Sequence, residues 1–160
     1  MSLIDELKDA EGYRENPYRD VNGLWTGGYG HLMMDKDWSN LKNIGDFKSK
    51  LEYWEHLLEV DISNSISSAT YLTRSWKVAP NRIQLEILSE LIFNMGFARV
   101  IQFKKFLDLF SNGDIINAAK ELIDSKWHRD FVKWNDNKDT PELRSRRIEK
   151  KLLGSINEPT

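Results

Sequence analysis

The sequence predicts an α+β fold, mostly helical: a small N-terminal lobe with a β-hairpin sheet, joined by a long helix to a helical C-terminal lobe. Three observations predict it. Four of the nine glycines fall between Gly23 and Gly30, where Asn22-Gly23 sits between short aromatic or β-branched segments, the strongest short-range hairpin signal. From Phe47 to Leu72 apolar residues recur every three or four positions, as on one face of a helix. Beyond Pro80 the apolar stretches again have helical spacing. The expectation is one domain over 1–160, with a lobe at 1–46, a linking helix at 47–72 and a helical lobe at 73–160.

Element by element, Ser2 followed by Asp5 and Glu6 makes a helix start, Leu3, Ile4, Leu7 and Ala10 form its apolar face, and Gly12 supplies a left-handed stop. The first helix therefore ends at Glu11. In the hairpin that follows Pro17, Asp20 and Thr26 are expected on opposite arms. The linking helix is expected to bury Leu51, Trp54, Leu58, Ile62, Ile66 and Ala69, with no flexible linker. Asn81 caps a helix that is apolar on nearly every side through Ile83, Ile87, Leu88, Leu91, Ile92 and Met95, and that stops at Gly96. Such a helix belongs in the middle of a bundle. Three further helices are expected: Phe103 to Phe110, one after Asp114, and one opened by "TPE" at Thr140 and closed by Gly154.

At 160 residues the chain is long enough to bury about two-thirds of its unfolded surface. It has no cysteine, so no disulfide is required. The acidic start "MSLIDELKDAEG" is not an export signal, and no apolar run is long enough for a membrane span. Residues 1–70 carry 7 Lys+Arg against 13 Asp+Glu, and residues 71–160 carry 16 against 12, for a net charge of −2. That balance argues against a nucleic-acid partner. The run "RSRRIEKK" reads first as the solvated face of a helix. The three histidines are scattered, and Gly27-Gly28-Tyr29-Gly30 lacks the Lys-Ser/Thr of a phosphate loop, so neither a metal nor a cofactor is expected.

The acids suggest a different chemistry. Glycoside hydrolysis usually takes two carboxyls flanking the scissile bond, one protonated and one ionised. Glu11 lies at the negative end of a helix dipole, which disfavours its charge, whereas Asp20 on a turn has no such reason to hold a proton. With 25 acidic residues in the chain, spacing alone would not single out this pair.

The residues "E-G-Y…Y-R-D…G-L-W-T-G-G-Y-G-H-L" resemble the catalytic signature of the phage-type lysozymes, the endolysins that cut peptidoglycan glycan strands. "IFNMG", "SKW" and "TPELRSRR" resemble that family's other landmarks in the same order, over nearly the whole chain. The resemblance implies a lysozyme-like fold and a muramidase that hydrolyses the β-1,4 bond between N-acetylmuramic acid and N-acetylglucosamine with inversion. Glu11 would be the general acid, Asp20 would activate the attacking water and Thr26 would position it. The hairpin glycines would admit a bulky sugar chain close to backbone.

The resemblance also implies support from His31 paired with Asp61, which would raise the pKa of the histidine and lower that of the aspartate. Arg144 or Arg147 would meet Glu11. Leu32, Asn94 and Phe103 would line the substrate cleft together with Phe93, although Phe93, Trp127 and Met95 read first as core by residue type. The stretch from Met33 to Gly45 does not align with the family's strand and turn, and the chain is less basic than many relatives. As a family member it would act as a monomer on bacterial peptidoglycan, without nucleic acid or stable membrane insertion. It would wait in the host bacterial cytoplasm until a separate holin-like protein released it to the periplasmic wall. The reading from another class is a peptidoglycan-binding module without catalysis.

Overall fold

A computed structural model describes residues 2–159. Its residue contacts divide the chain into two compact units, 1–64 and 65–160, with the boundary inside one long helix. Among the described residues it is the expected α+β arrangement, with a three-stranded sheet near the N-terminus and helices around and after it.

In the first unit, α1 (Leu3–Glu11) starts where the Ser2 side chain accepts a hydrogen bond from the Asp5 amide, and it buries Leu3 and Leu7. Gly12 closes it as the expected left-handed stop, at φ +68° with ψ 169°, its amide donating to the Lys8 carbonyl. Strands β1 (Arg14–Arg19), β2 (Trp25–Gly28) and β3 (His31–Leu32) pair antiparallel in the order β1-β2-β3. The register shifts between Arg14 and Tyr18. Pro17 lies in this interval, where a bulge tolerates a residue with no N–H to give the ladder.

The hairpin turn is wider than a two-residue Asn-Gly turn. Asp20 pairs with Leu24 (amide to carbonyl, 2.9 Å), the Gly23 amide donates to the Asp20 carbonyl, and Gly23 alone takes a positive φ, +78°. This is a three-residue loop. Its cause is the Asp20 side chain, whose Oδ1 accepts from the amides of Asn22 and Leu24, both at 2.9 Å. Asp20 therefore ends the first arm in the loop, and Thr26 lies in the second.

The stretch after β3 forms a helix that sequence reading left unassigned, α2 (Asp35–Lys42). The long helix α3 runs Lys50–Thr73. Its residues Tyr53, Trp54 and Leu57 form the core of the first unit with Met33, Leu41 and Phe47. Trp54, Leu58, Ile62 and Ala69 are buried as expected, but Leu51 and Ile66 are exposed. The buried stripe instead takes in Tyr53, Leu57 and Ser65.

The second unit is helical. Helix α4 (Arg82–Met95) begins with a reciprocal cap between Asn81 and Gln84 and buries Ile87, Leu88, Leu91 and Ile92. Short α5 (Phe97–Val100) leads to α6 (Lys104–Ser111), which buries Phe106 and Phe110. Asp114 caps α7 (Ile115–Ile123) through the Asn117 amide, and α7 buries Ile115, Ala118, Ala119 and Leu122. Helix α8 (Lys126–Trp134), capped by Ser125, was not expected. Trp127, Phe131 and Trp134 stack edge to face along it. The last helix, α9 (Arg144–Gly154), starts later than "TPE" suggests. The Leu143 amide donates to the Thr140 carbonyl, so Pro141 and Glu142 form a turn ahead of the helix. No helix among the described residues is long and apolar enough to cross a membrane.

Candidate active site

The site candidates of the first unit gather on α1 and the hairpin. Tyr18, Thr26 and Leu32 are directly opposed across the three strands, so their side chains share one face of the sheet. Thr26 is buried and Leu32 is exposed. The Thr26 hydroxyl donates to the Leu24 carbonyl at 3.2 Å, which leaves its lone pairs as acceptors. Asp20 spends Oδ1 on the loop amides, so Oδ2 is the oxygen with capacity for a further hydrogen bond.

Glu11 ends α1 and its carboxyl lies against Gly30. A Cβ built on Gly30 would stand 2.6 Å from Glu11 Oε2, and Gly30 has a φ of +73°. Only glycine fits both the backbone and the contact. Tyr18 links the acids electrostatically: burial pushes its phenol upward, the Arg14 guanidinium opposes this, and the negative charges of Glu11 and Asp20 add to the rise. Arg14 itself lies over the Tyr18 ring, 4.3 Å from its centre. Tyr18 is the tyrosine of "Y-R-D" in the signature, but its sequence context alone gives it no role.

The other hairpin glycines do something different from what was expected. A Cβ on Gly27 would fall 2.5 Å from the Trp54 ring, and one on Gly28 would fall 2.6 Å from it. The chain's own indole occupies this approach to the backbone, where a sugar was anticipated. Trp54 also donates its Nε1–H to the Glu15 carbonyl at 2.8 Å, tying β1 to the same helix.

His31 is buried and held from both sides. Its Nδ1 lies 2.7 Å from Asp61 Oδ2 and its Nε2 lies 2.9 Å from Asp37 Oδ2. The second carboxylate was not anticipated. Asp37 is wholly buried, and it also accepts from the Met34 amide at 2.8 Å and the Tyr53 hydroxyl at 2.7 Å. Burial works against a charged imidazole, but the hydrogen bonds and charges of Asp61 and then Asp37 outweigh it, so the His31 pKa is raised. Burial likewise opposes the Asp37 charge, and its bonds from Met34, Tyr53 and His31 prevail, so its pKa is lowered. Burial, with the neighbouring Asp37 charge, pushes the Tyr53 phenol up to about 12.

The remaining candidates belong to the second unit. Phe93 and Phe103 are half-buried, and Phe103 packs against the helical core. Asn94 Oδ1 accepts from the indole N–H of Trp127 at 2.8 Å, and Trp127 is a core residue. Arg144 and Arg147 do not form one solvated basic face. Arg144 is buried with Glu90 at 3.2 Å, whereas Arg147 is exposed. Their neighbours are also matched: Arg146 pairs with Asp139 and Glu149, and Lys151 with Glu86. Among the described residues, no cluster of His, Asp and Glu could hold a metal ion.

The phage lysozyme family profile matches residues 8–150. The chain is 30% identical to "Probable T4-type lysozyme 1" of Dictyostelium discoideum, covering 98% of this chain and 96% of that protein. It is also 30% identical to "Probable T4-type lysozyme 2" of the same organism, covering 98% and 97%. It is 29% identical to the "Pre-baseplate central spike protein Gp5" of Enterobacteria phage T4, over 81% of this chain and 25% of that protein. With a family match over most of its length and the signature residues folded onto one helix end and one hairpin, the chain belongs to the phage lysozyme family and is a glycoside hydrolase of the lysozyme type.

Proposed function

We propose that the chain is an endolysin-type muramidase that cleaves the β-1,4 bond between N-acetylmuramic acid and N-acetylglucosamine with inversion. The observation that carries this reading is the grouping of Glu11, Asp20 and Thr26 around Tyr18 in one small unit. Glu11 gives its proton to the departing glycosidic oxygen. Asp20 Oδ2 takes a proton from water as that water attacks the anomeric carbon from the other side. The Thr26 hydroxyl, already donating to Leu24, accepts the water's second hydrogen and fixes its direction. Inverting glycosidases need room for this water, with carboxyls roughly 6.5 to 9.5 Å apart.

In this reading the biological role is host lysis, with the protein acting as a monomer, held in the bacterial cytoplasm and released to the wall by a holin-like partner. Analysis of fragments from purified peptidoglycan tests the bond: new reducing ends at muramic acid are expected, and cut peptides would overturn the reading. Glu11→Gln keeps shape but removes the transferable proton, so lysis should fall by roughly 10² to 10⁴. The variant should stay folded, with stability equal to or above the parent's, and should sediment with walls without clearing them. Clearance at the parent rate would remove Glu11 from the role of proton donor, whereas a parent protein that binds walls and never clears them would return the chain to the binding-module reading.

A further inference from the structure

Side chains alternate across a strand, so Trp25 points to the sheet face opposite Thr26, with its cross-strand neighbour Arg19. There its indole stands 5.3 Å from that of Trp38 on α2, with the ring planes at 85°. The Arg19 guanidinium lies 4.7 Å from the Trp25 ring and is anchored by donation from Nη1 to the Gly23 carbonyl at 3.0 Å. Trp25 and Trp38 are 41% and 40% exposed, and neither belongs to the buried core of the unit. Two adjoining indoles left this open mark a contact surface.

The surroundings decide what it contacts. Around Trp38, helix α2 exposes Asp35, Lys36, Ser39, Asn40 and Lys42. A bilayer would require a broad apolar cap, and here one exposed apolar neighbour, Met34 at the start of α2, stands among charged and polar side chains. A pyranose ring fits better, since it offers an apolar C–H face to an indole and a girdle of hydroxyls and amides to polar neighbours. Arg19 and the exposed lysines complement a polymer that carries carboxylates.

We propose that the Trp25–Trp38 corner with Arg19 is a second, non-catalytic binding site for the amino-sugar strand of peptidoglycan. It holds the enzyme on an insoluble wall from the sheet face opposite Thr26. This rests on the peptidoglycan reading above, and the experiment separates the two. Trp25→Ala/Trp38→Ala and Arg19→Gln are made both in the active protein and in Glu11→Gln. Sedimentation of the Glu11→Gln forms with purified sacculi gives wall affinity, and reducing-end release from short soluble glycan chains by the active forms gives catalysis.

Removing both indoles should weaken wall affinity about tenfold or more and leave hydrolysis of the soluble chains at the parent rate. Trp25→Phe/Trp38→Phe should retain most of the affinity. The Arg19→Gln variant, which leaves both indoles in place, should show a smaller, salt-sensitive loss. Parent-like wall affinity in the alanine form would overturn the proposal, as would loss confined to anionic phospholipid vesicles with wall binding intact. If the alanine form does not fold, the outcome rests on the phenylalanine and glutamine variants: parent-like affinity in Arg19→Gln, or loss of binding in the phenylalanine form, overturns it. A parent protein that releases no reducing ends defeats the muramidase reading alone, since sacculus affinity of the same forms still decides the second site.

Discussion

Asp37→Asn probes a buried ionic contact in the first unit. The native carboxylate accepts three hydrogen bonds, from the Met34 amide at 2.8 Å, the Tyr53 hydroxyl at 2.7 Å and His31 at 2.9 Å. Asparagine can still accept from Tyr53 through Oδ1, but its amide nitrogen then faces the Met34 N–H and the protonated His31 N–H, donor against donor. Two charge-assisted bonds are lost at about 1.5–3 kcal/mol each. Their sum, about 3–6 kcal/mol, overlaps the about 3–5 kcal/mol typical of a buried pair that loses one partner, which is the cost expected here. In a protein of this size that lowers Tm by roughly 6–20 °C.

The loss should depend on pH. The His31 pKa is raised above 6.5, so its stabilisation is full below 6.5 and disappears as pH rises through the folded value. The Asp37 pKa is lowered below 3.8, so its stabilisation is full above 3.8 and disappears as pH falls through the folded value. Between pH 3.8 and 6.5 both contributions stand. Once His31 is neutral its Nε2 can accept from the side-chain amide that the substitution introduces, so the cost of the substitution should drop by roughly half toward pH 9. Urea unfolding from pH 5 to 9, with an NMR titration of the His31 ring, measures both effects. The His31 midpoint should move down in the variant. A cost constant across that range together with an unmoved midpoint would refute the reasoning.

Other substitutions test separate contacts. Gly30→Ala adds a Cβ that would lie 2.6 Å from Glu11 Oε2 at a φ of +73°. It should lower stability by about 1–2 kcal/mol and lower hydrolysis roughly tenfold to hundredfold, measured as unfolding free energy and turnover on one preparation. Arg144→Gln strips the buried Glu90 of its ion-pair partner and should destabilise by about 3 kcal/mol, while Arg147→Gln on the surface should stay within about 0.5 kcal/mol; urea midpoints compare them. Asn81→Ala removes the cap on Gln84 and two bonds to the Ser155 and Glu158 carbonyls. It should lower Tm by several degrees, from about 1–2 kcal/mol.

The fold was legible where local rules act alone. Ser2, Asn81 and Asp114 cap the helices that their residue types suggest, because an N-cap needs only one side chain and the next few amides. Helix α8 was overlooked although Ser125 precedes Trp127, Phe131 and Trp134 at helical spacing. Trp127 alone reads as a core residue, and the helix shows only when it is taken together with Phe131 and Trp134. Helix α2 was hidden for another reason: its stretch is short and polar, and the Asp37 carboxylate it buries is held by His31 of β3 and Tyr53 of α3, both outside the helix. No local pattern carries that information. The wider turn at Asp20 also depends on side-chain bonds that spacing alone does not reveal.

The residues that hold the site in place are also those that stabilise the first unit. In the ladder His31 opposes Gly27, and Leu32 opposes Thr26, so the carboxylates that clamp His31 also fix the strand beside Thr26. Trp54 lies under Gly27 and Gly28 from the other direction and hydrogen-bonds the Glu15 carbonyl of β1. All three strands are thereby tied to α3, and β3 also to α2 through Asp37. A threonine hydroxyl that must aim one water gains from this arrangement, because the free energy that orders its strand comes from core packing and a buried ionic contact rather than from substrate. Glycine at 27 and 28 serves that packing, since any larger residue would displace the indole that supports the strand.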